Sequence, residues 1–272
     1  MLDSHPELAI PPETYFAPDV IAACRRGASA AELIEMLGSH RRWGDFDLPA
    51  AELRNRLERL DRITARGALR AFYELYAERH GKPRWGDKTP RYIRSMPEIA
   101  GALPEARFVH LIRDGRDTAV SKSEREPDEP MPIRRQARRW KRRIRKARSQ
   151  AAGLEHYIEA RYEDLVREPE AVLRRVSGFI ELDFDQAMLS YHERAGERLS
   201  EIDRDLPATG SQGTKEAGDR LAGFTLVAKP PTEERIGRWR AEMSEADRVE
   251  FERIAGDLLD ELGYETGNAQ TS

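Results

Sequence analysis

An apolar stretch, Phe108–Ile112, runs directly into Arg113-Asp114-Gly115-Arg116 and then into a segment of helical character from about Asp117. A strand, a tight turn and a helix start present backbone N–H groups and a positive dipole end to an anion. Arg113 and Arg116 add planar guanidinium forks suited to phosphate, and Ser121 adds a hydroxyl one helical turn further in. The plain alternative is a surface Arg–Asp pair at an ordinary β–α junction.

The elements that must hold this stretch can be read from periodicity. Phe108–Ile112 reads as a buried parallel strand, and residues 156–162 as a second strand. Residues 1–12 are extended, because Ile10-Pro11-Pro12 forbids helix. Residues 49–80 read as one helix through Leu53, Leu57, Leu60, Leu69, Phe72 and Leu75, broken at residues 82–87. Thr89 reads as an N-cap with Pro90 at the first helical position, for a helix to about Leu103. A helix from Pro169 follows the second strand, and residues 200–231 read as a long loop. In the last helix Ser244 is the cap, Asp247 completes a capping box, Phe251, Ile254, Leu258 and Leu262 form the apolar stripe, and Gly263 ends it. Helices alternating with strands imply a layered α/β fold, and one domain is the simplest division of residues 1–272.

Composition narrows the function. The 272 residues are 39% hydrophobic and 35% charged with a net charge of −3, so no global excess of positive charge favours a polyanion. Residues 134–148 are strongly basic, yet Ile133, Ala137, Trp140, Ile144, Ala147 and Ala151 line one side of that helix. The basic residues then form a solvated face, and no nucleic-acid partner is expected. A single cysteine, Cys24, rules out an internal disulfide framework and a cysteine metal cluster. No apolar run approaches the ~20 residues of a membrane span. The first residues lack the basic start and apolar core of a signal peptide, so a cytoplasmic location is expected.

Gly86-Asp87-Lys88-Thr89-Pro90, Arg113-Asp114-Gly115-Arg116 through Ser121, and Tyr162-Glu163-Asp164-Leu165 together resemble, in order and spacing, the sulfotransferase superfamily. The pattern is closest to the tyrosylprotein sulfotransferases and their bacterial relatives. Lys229-Pro230-Pro231 through Arg235-Ile236-Gly237-Arg238-Trp239 resembles the family's C-terminal cofactor-covering region. The resemblance covers most of the chain. It implies a three-layer, P-loop-like α/β fold with a parallel sheet flanked by helices. It also implies metal-free, in-line transfer of a sulfuryl group from 3′-phosphoadenosine-5′-phosphosulfate (PAPS) to an acceptor hydroxyl or amine. A P-loop kinase or nucleotidase would share the architecture but needs GxxxxGK[ST], which does not occur.

Carried over by position, Arg113 and Ser121 match the residues that hold the 3′-phosphate, and Arg125 matches a cofactor-contacting arginine. Tyr162 matches an aromatic near the adenine, and Lys229 a lysine that reaches the cofactor. The alternatives are a surface partner for Glu124 or Glu126, a core tyrosine and an exposed loop lysine. Lys88 matches the transition-state stabiliser: a fixed ammonium supplies charge stabilisation without a metal. Its alternative is an exposed loop lysine paired with Asp87. Glu13, in a Glu-Thr pair following His5-Pro6-Glu7, matches the general base, with a dipole-stabilised helix-start glutamate as the alternative. His5 reads as a structural turn residue rather than the base.

The superfamily's 5′-phosphosulfate loop and first strand belong just before residues 1–6 and are absent from this sequence. Two expectations follow. The favoured one is a true start upstream of Met1, since the other motifs are intact. The other is a catalytically silent relative that binds adenosine 3′,5′-bisphosphate or a protein partner. The chain as written is expected to bind PAPS poorly and to expose a sheet edge. Tyr15-Phe16-Ala17-Pro18-Asp19 follows the Glu-Thr pair where the tyrosylprotein enzymes carry basic residues. A carbohydrate, lipid or small-molecule hydroxyl therefore fits the acceptor role at least as well as peptide tyrosine.

Overall fold

In the computed structural model, residues 1–125, 130–209, 213–222, 224 and 227–267 are described. The chain divides into two units, Met1–Ala106 with Glu181–Pro230, and Arg107–Ile180 with Pro231–Ser272.

In the first unit an aromatic cluster organises the helices. Phe16 and Phe46 meet Phe72 edge to face, with ring centroids 4.7 and 5.1 Å away. Around it lie the helices Ala17–Arg25, Ala30–Gly38, Ala50–Glu58 and Ala65–Arg79. The expected helix over residues 49–80 is therefore two. Thr64 adopts an extended backbone and its hydroxyl accepts the Gly67 N–H, restarting the helix. The expected helix from Thr89 is also split, into a 3-10 turn Pro90–Arg94 and the helix Met96–Ala102, with Ser95 outside helical geometry between them. The Thr89 side chain makes no capping bond. Part of the expected loop at 200–231 is structured. Ala217–Ala222 is helical, and the buried Arg220 guanidinium donates to Asp45 and to the Arg204 carbonyl.

Two short strands lie in this unit. β1 (Leu8–Ala9) pairs in parallel with β2 (Arg84–Trp85), Leu8 opposite Arg84 and Ala9 opposite Trp85. Flanking bonds from Arg84 N–H to the Glu7 carbonyl and from Gly86 N–H to the Ala9 carbonyl extend the ladder. The extended N-terminal stretch thus runs beside the segment leading to Lys88.

In the second unit β3 (Phe108–Ile112) and β4 (Tyr157–Arg161) pair in parallel, Phe108 opposite Tyr157 through Ile112 opposite Arg161. Among the described residues the parallel pairing is thus two two-stranded sheets. The α/β class expected from sequence holds, with helices following each strand. β3 is less buried than expected: Ile112 enters the core, whereas Leu111, on the opposite face, is 48% exposed. The core gathers Ile112, Trp140, Ile144, Phe251, Leu258 and Leu259. Gly115 opens the helix Gly115–Arg125 against it. A Cβ there would lie 2.5 Å from the Trp140 indole and 2.6 Å from Phe251, so only glycine fits. The basic helix Ile133–Ala151 packs on Glu245–Glu261, and its cations meet that helix's acids: Lys141 with Asp257, Arg145 with Glu261, Arg134 with Glu250. Ser244 caps the last helix, but Asp247 bonds the Ser244 hydroxyl rather than its backbone. Gly263 ends it at a φ of +72°.

Candidate active site

Glu13 and Lys88, 75 residues apart, form an ion pair with Nζ 2.6 Å from Oε1. Glu13 precedes the helix Ala17–Arg25 rather than starting it, and Lys88 is the exposed loop lysine of its alternative but bonds Glu13. The other carboxylate oxygen of Glu13 accepts the Tyr15 phenol. Burial raises the Glu13 carboxyl, but the Lys88 ammonium and the two hydrogen bonds outweigh it, leaving it below the usual value. Glu13 is therefore ionised at neutral pH. Lys88 is mostly exposed, its side chain 59% accessible.

What fixes this pair is the residue between Glu13 and Tyr15. Thr14 is fully buried, and its N–H donates to Thr89 Oγ1 at 3.0 Å. Its hydroxyl donates to Asp87 Oδ2 at 2.6 Å, leaving its lone pairs to the Tyr92 hydroxyl 2.7 Å away. Tyr92 in turn accepts the Ala17 N–H, and Tyr73 donates to the same Asp87 oxygen at 2.8 Å while its ring stacks on Trp85. Asp87 and Thr89 flank Lys88, so Thr14 stitches the Glu13 segment to the lysine loop. Burial raises the Asp87 carboxyl against the hydroxyl donors that hold it. This network of Thr14, Tyr73, Asp87 and Tyr92 is absent from the sequence reading. Only the clustering of hydroxyls around the Glu-Thr and Asp-Lys-Thr motifs signals it.

In the second unit the strand–turn–helix is built differently from the expected cradle. Its N–H groups at Asp114 and Arg116 are already taken, by the Glu163 carboxylate and by Asp114 Oδ1. Arg116 is no anion ligand either. Its guanidinium is 1% exposed, holds Asp114 and Glu252 at 2.8 and 2.7 Å and lies over the Trp239 ring. Arg113 remains. It lies 4.7 Å over the Tyr162 ring, donates one nitrogen to the Arg235 carbonyl at 2.6 Å, and keeps a buried Nε without a partner. An unsatisfied guanidinium edge is costly to bury, and an oxyanion is its natural complement. The Asp117 carboxylate, raised by burial, accepts N–H groups of Gly237 and Trp239 and anchors the C-terminal motif on this helix.

The Sulfotransferase family model matches residues 1–186. The chain belongs to the sulfotransferase family. Protein-tyrosine sulfotransferase A of Caenorhabditis elegans is 23% identical over 276 residues, 97% of this chain and 63% of that protein. Protein-tyrosine sulfotransferase 1 of Danio rerio is 24% identical over 280 residues, again 97% of this chain and 67% of that protein. The chain spans about half to two thirds of the length of the curated relatives it matches. The solved sulfotransferase domain of the Synechococcus PCC 7002 olefin synthase shares the fold. It has a TM-score of 0.61 at 20% identity, covering 97% of this chain and 88% of that one.

For a sulfotransferase, the remaining expected residues fall as follows. Tyr162 is half-buried beneath Arg113, so it is a ring partner of the anion candidate rather than a core tyrosine. Ser121 is half-buried on the helix Gly115–Arg125 that follows Arg113. Arg125 is exposed and its Nε donates back to the Ser121 carbonyl at 3.1 Å, not to Glu124, which pairs with Arg238; Glu126 lies outside the described residues. Lys229 is exposed, its carbonyl accepting the Tyr191 hydroxyl at 2.8 Å. His5 is structural: Nδ1 accepts the Glu7 N–H and Nε2 donates to the Asp183 carbonyl. Among the described residues no helix is long and apolar enough to cross a membrane.

Proposed function

We propose that the chain is a PAPS-dependent sulfotransferase acting on a hydroxyl. The observation that carries this reading is the 2.6 Å Lys88–Glu13 pair, on segments locked together through Thr14. Glu13, ionised and half-buried, accepts the hydroxyl proton as the oxygen attacks. The Lys88 ammonium offsets negative charge on the transferring group and the leaving oxygen, the main demand of an in-line transfer. Arg113 and Ser121 hold the 3′-phosphate, the buried Nε of Arg113 supplying a donor with no other partner. Tyr162 backs that guanidinium, and Arg125 and Lys229 add outer contacts to the cofactor. The relatives are named for protein tyrosine, so a phenol is the acceptor class their names support.

Titration calorimetry with adenosine 3′,5′-bisphosphate tests the nucleotide half. Binding is expected, and Arg113→Ala is expected to weaken it by roughly 10- to 100-fold, the range of a charge-assisted bond of about 1.5–3 kcal/mol. No heat with the unaltered chain, together with no transfer from PAPS to any hydroxyl acceptor, would refute the reading.

A further inference from the structure

The base is not vacant. The Tyr15 phenol donates its proton to Glu13 Oε2, the hydrogen bond that an acceptor hydroxyl must make before attack, while Lys88 holds Oε1 of the same carboxylate. The phenol oxygen thus sits on the carboxylate whose other oxygen Lys88 holds. Its surroundings are cationic as well. The Arg42 guanidinium lies 5.0 Å from the ring centroid, and Arg91 adds its positive field to the phenol. A monoanionic sulfate ester formed there would be met by Arg42 and Arg91. The backbone turns to achieve this placement: Tyr15 has a φ of +61°, a left-handed conformation unfavourable for an aromatic residue. Its neighbours Thr14 and Phe16, both buried, hold the turn.

We propose that Tyr15 is itself an acceptor, and that the chain transfers a sulfuryl group from PAPS to the Tyr15 phenol within one molecule. The inference rests on the sulfotransferase reading above. The Tyr15 Oη–S bond forms as the S–O bond to the 5′-phosphate breaks. The phenolic proton passes to Glu13, and adenosine 3′,5′-bisphosphate leaves with the electron pair. Nothing is oxidised or reduced. Burial and the bond to Glu13 push the phenol up to about 12, so the nucleophile at neutral pH is the phenol and needs its base. The product marks the molecule once and places a fixed anion beside Glu13, where it would close the base to further acceptors.

The test needs no knowledge of the natural acceptor. The purified chain is incubated with radiosulfur-labelled PAPS, with and without p-nitrophenol, and its peptides are mapped by negative-ion mass spectrometry. Expected is one SO3 on the Tyr15 peptide, formed at a rate independent of protein concentration and lost in both Tyr15→Phe and Glu13→Gln. Label on p-nitrophenol with none on Tyr15 overturns this inference and leaves the sulfotransferase reading standing. Label that persists in Tyr15→Phe, or a rate proportional to protein concentration, overturns it too. Label on neither overturns both.

Discussion

In the proposed reaction Lys88 and Glu13 do different work although they touch, and kinetics can separate them. An electrostatic group acts on charge that appears in the transition state, so Lys88→Ala is expected to cut turnover by about 100- to 1,000-fold while changing nucleotide affinity little. Equal losses in both would remove Lys88 from that role. The pH profile gives a second readout. Glu13 accepts a proton only when ionised, and its carboxyl sits below the ordinary value because the Lys88 attraction and the hydrogen bonds outweigh burial. Turnover should therefore persist into acid and fall only as pH drops through that lowered value. Removing the ammonium should move this acid limb upward, measured as log(kcat) against pH in Lys88→Ala. An unmoved limb would mean that another group titrates.

At the scale of elements, the device is the joining of two loops through one buried threonine. Thr14→Val keeps the shape but takes one hydroxyl donor from Asp87, which retains Tyr73, and the hydroxyl partner from Tyr92, which retains the Ala17 N–H, at about 1–3 kcal/mol for each bond lost in the buried network. It also frees the Glu13 and Lys88 segments, and a displacement of about 1 Å can cost about 100-fold in rate. Thr14→Val should thus lower both the urea midpoint and turnover, whereas Thr14→Ser, which retains the hydroxyl, should recover most of each. Full turnover in Thr14→Val would show that the network does not position the pair. The sequence exposed this device only in part. Phe108–Ile112 and the last helix from Ser244 to Gly263 were readable because long apolar periods and caps are local signals. β1 and β2, two residues each, are too short to alternate, and the Thr14–Asp87 bond links residues 73 apart. The turn after β3 looked like an anion cradle because its N–H donors were counted without Asp114 and Glu163, the carboxylates that occupy them. Arg113 survives as the ligand candidate because its buried Nε stays without a partner beside that turn.

Across the whole molecule, 46 basic and 49 acidic residues nearly cancel, and most described ion pairs have at least one half-exposed or exposed partner. Exposed pairs each contribute about 0–1 kcal/mol and are screened by salt. Arg116 belongs to another class: its 1%-exposed guanidinium satisfies Asp114, at 6% side-chain exposure, and Glu252, at 15%. Removing it strands two carboxylates, one of them the cap of the helix that carries Ser121. Arg116→Met is expected to destabilise by about 3–5 kcal/mol, as breaking a buried pair does. Arg145→Met removes a partner of the exposed Asp257 and Glu261 and should stay within about 0.5 kcal/mol. Urea unfolding in low and in molar salt checks both. The Arg116→Met loss should be nearly the same in each, because burial excludes the screening ions, while any Arg145→Met loss should vanish in salt. Similar losses for the two variants would place the guanidinium of Arg116 among the surface charges, and with it the rigidity of the turn that aims Arg113.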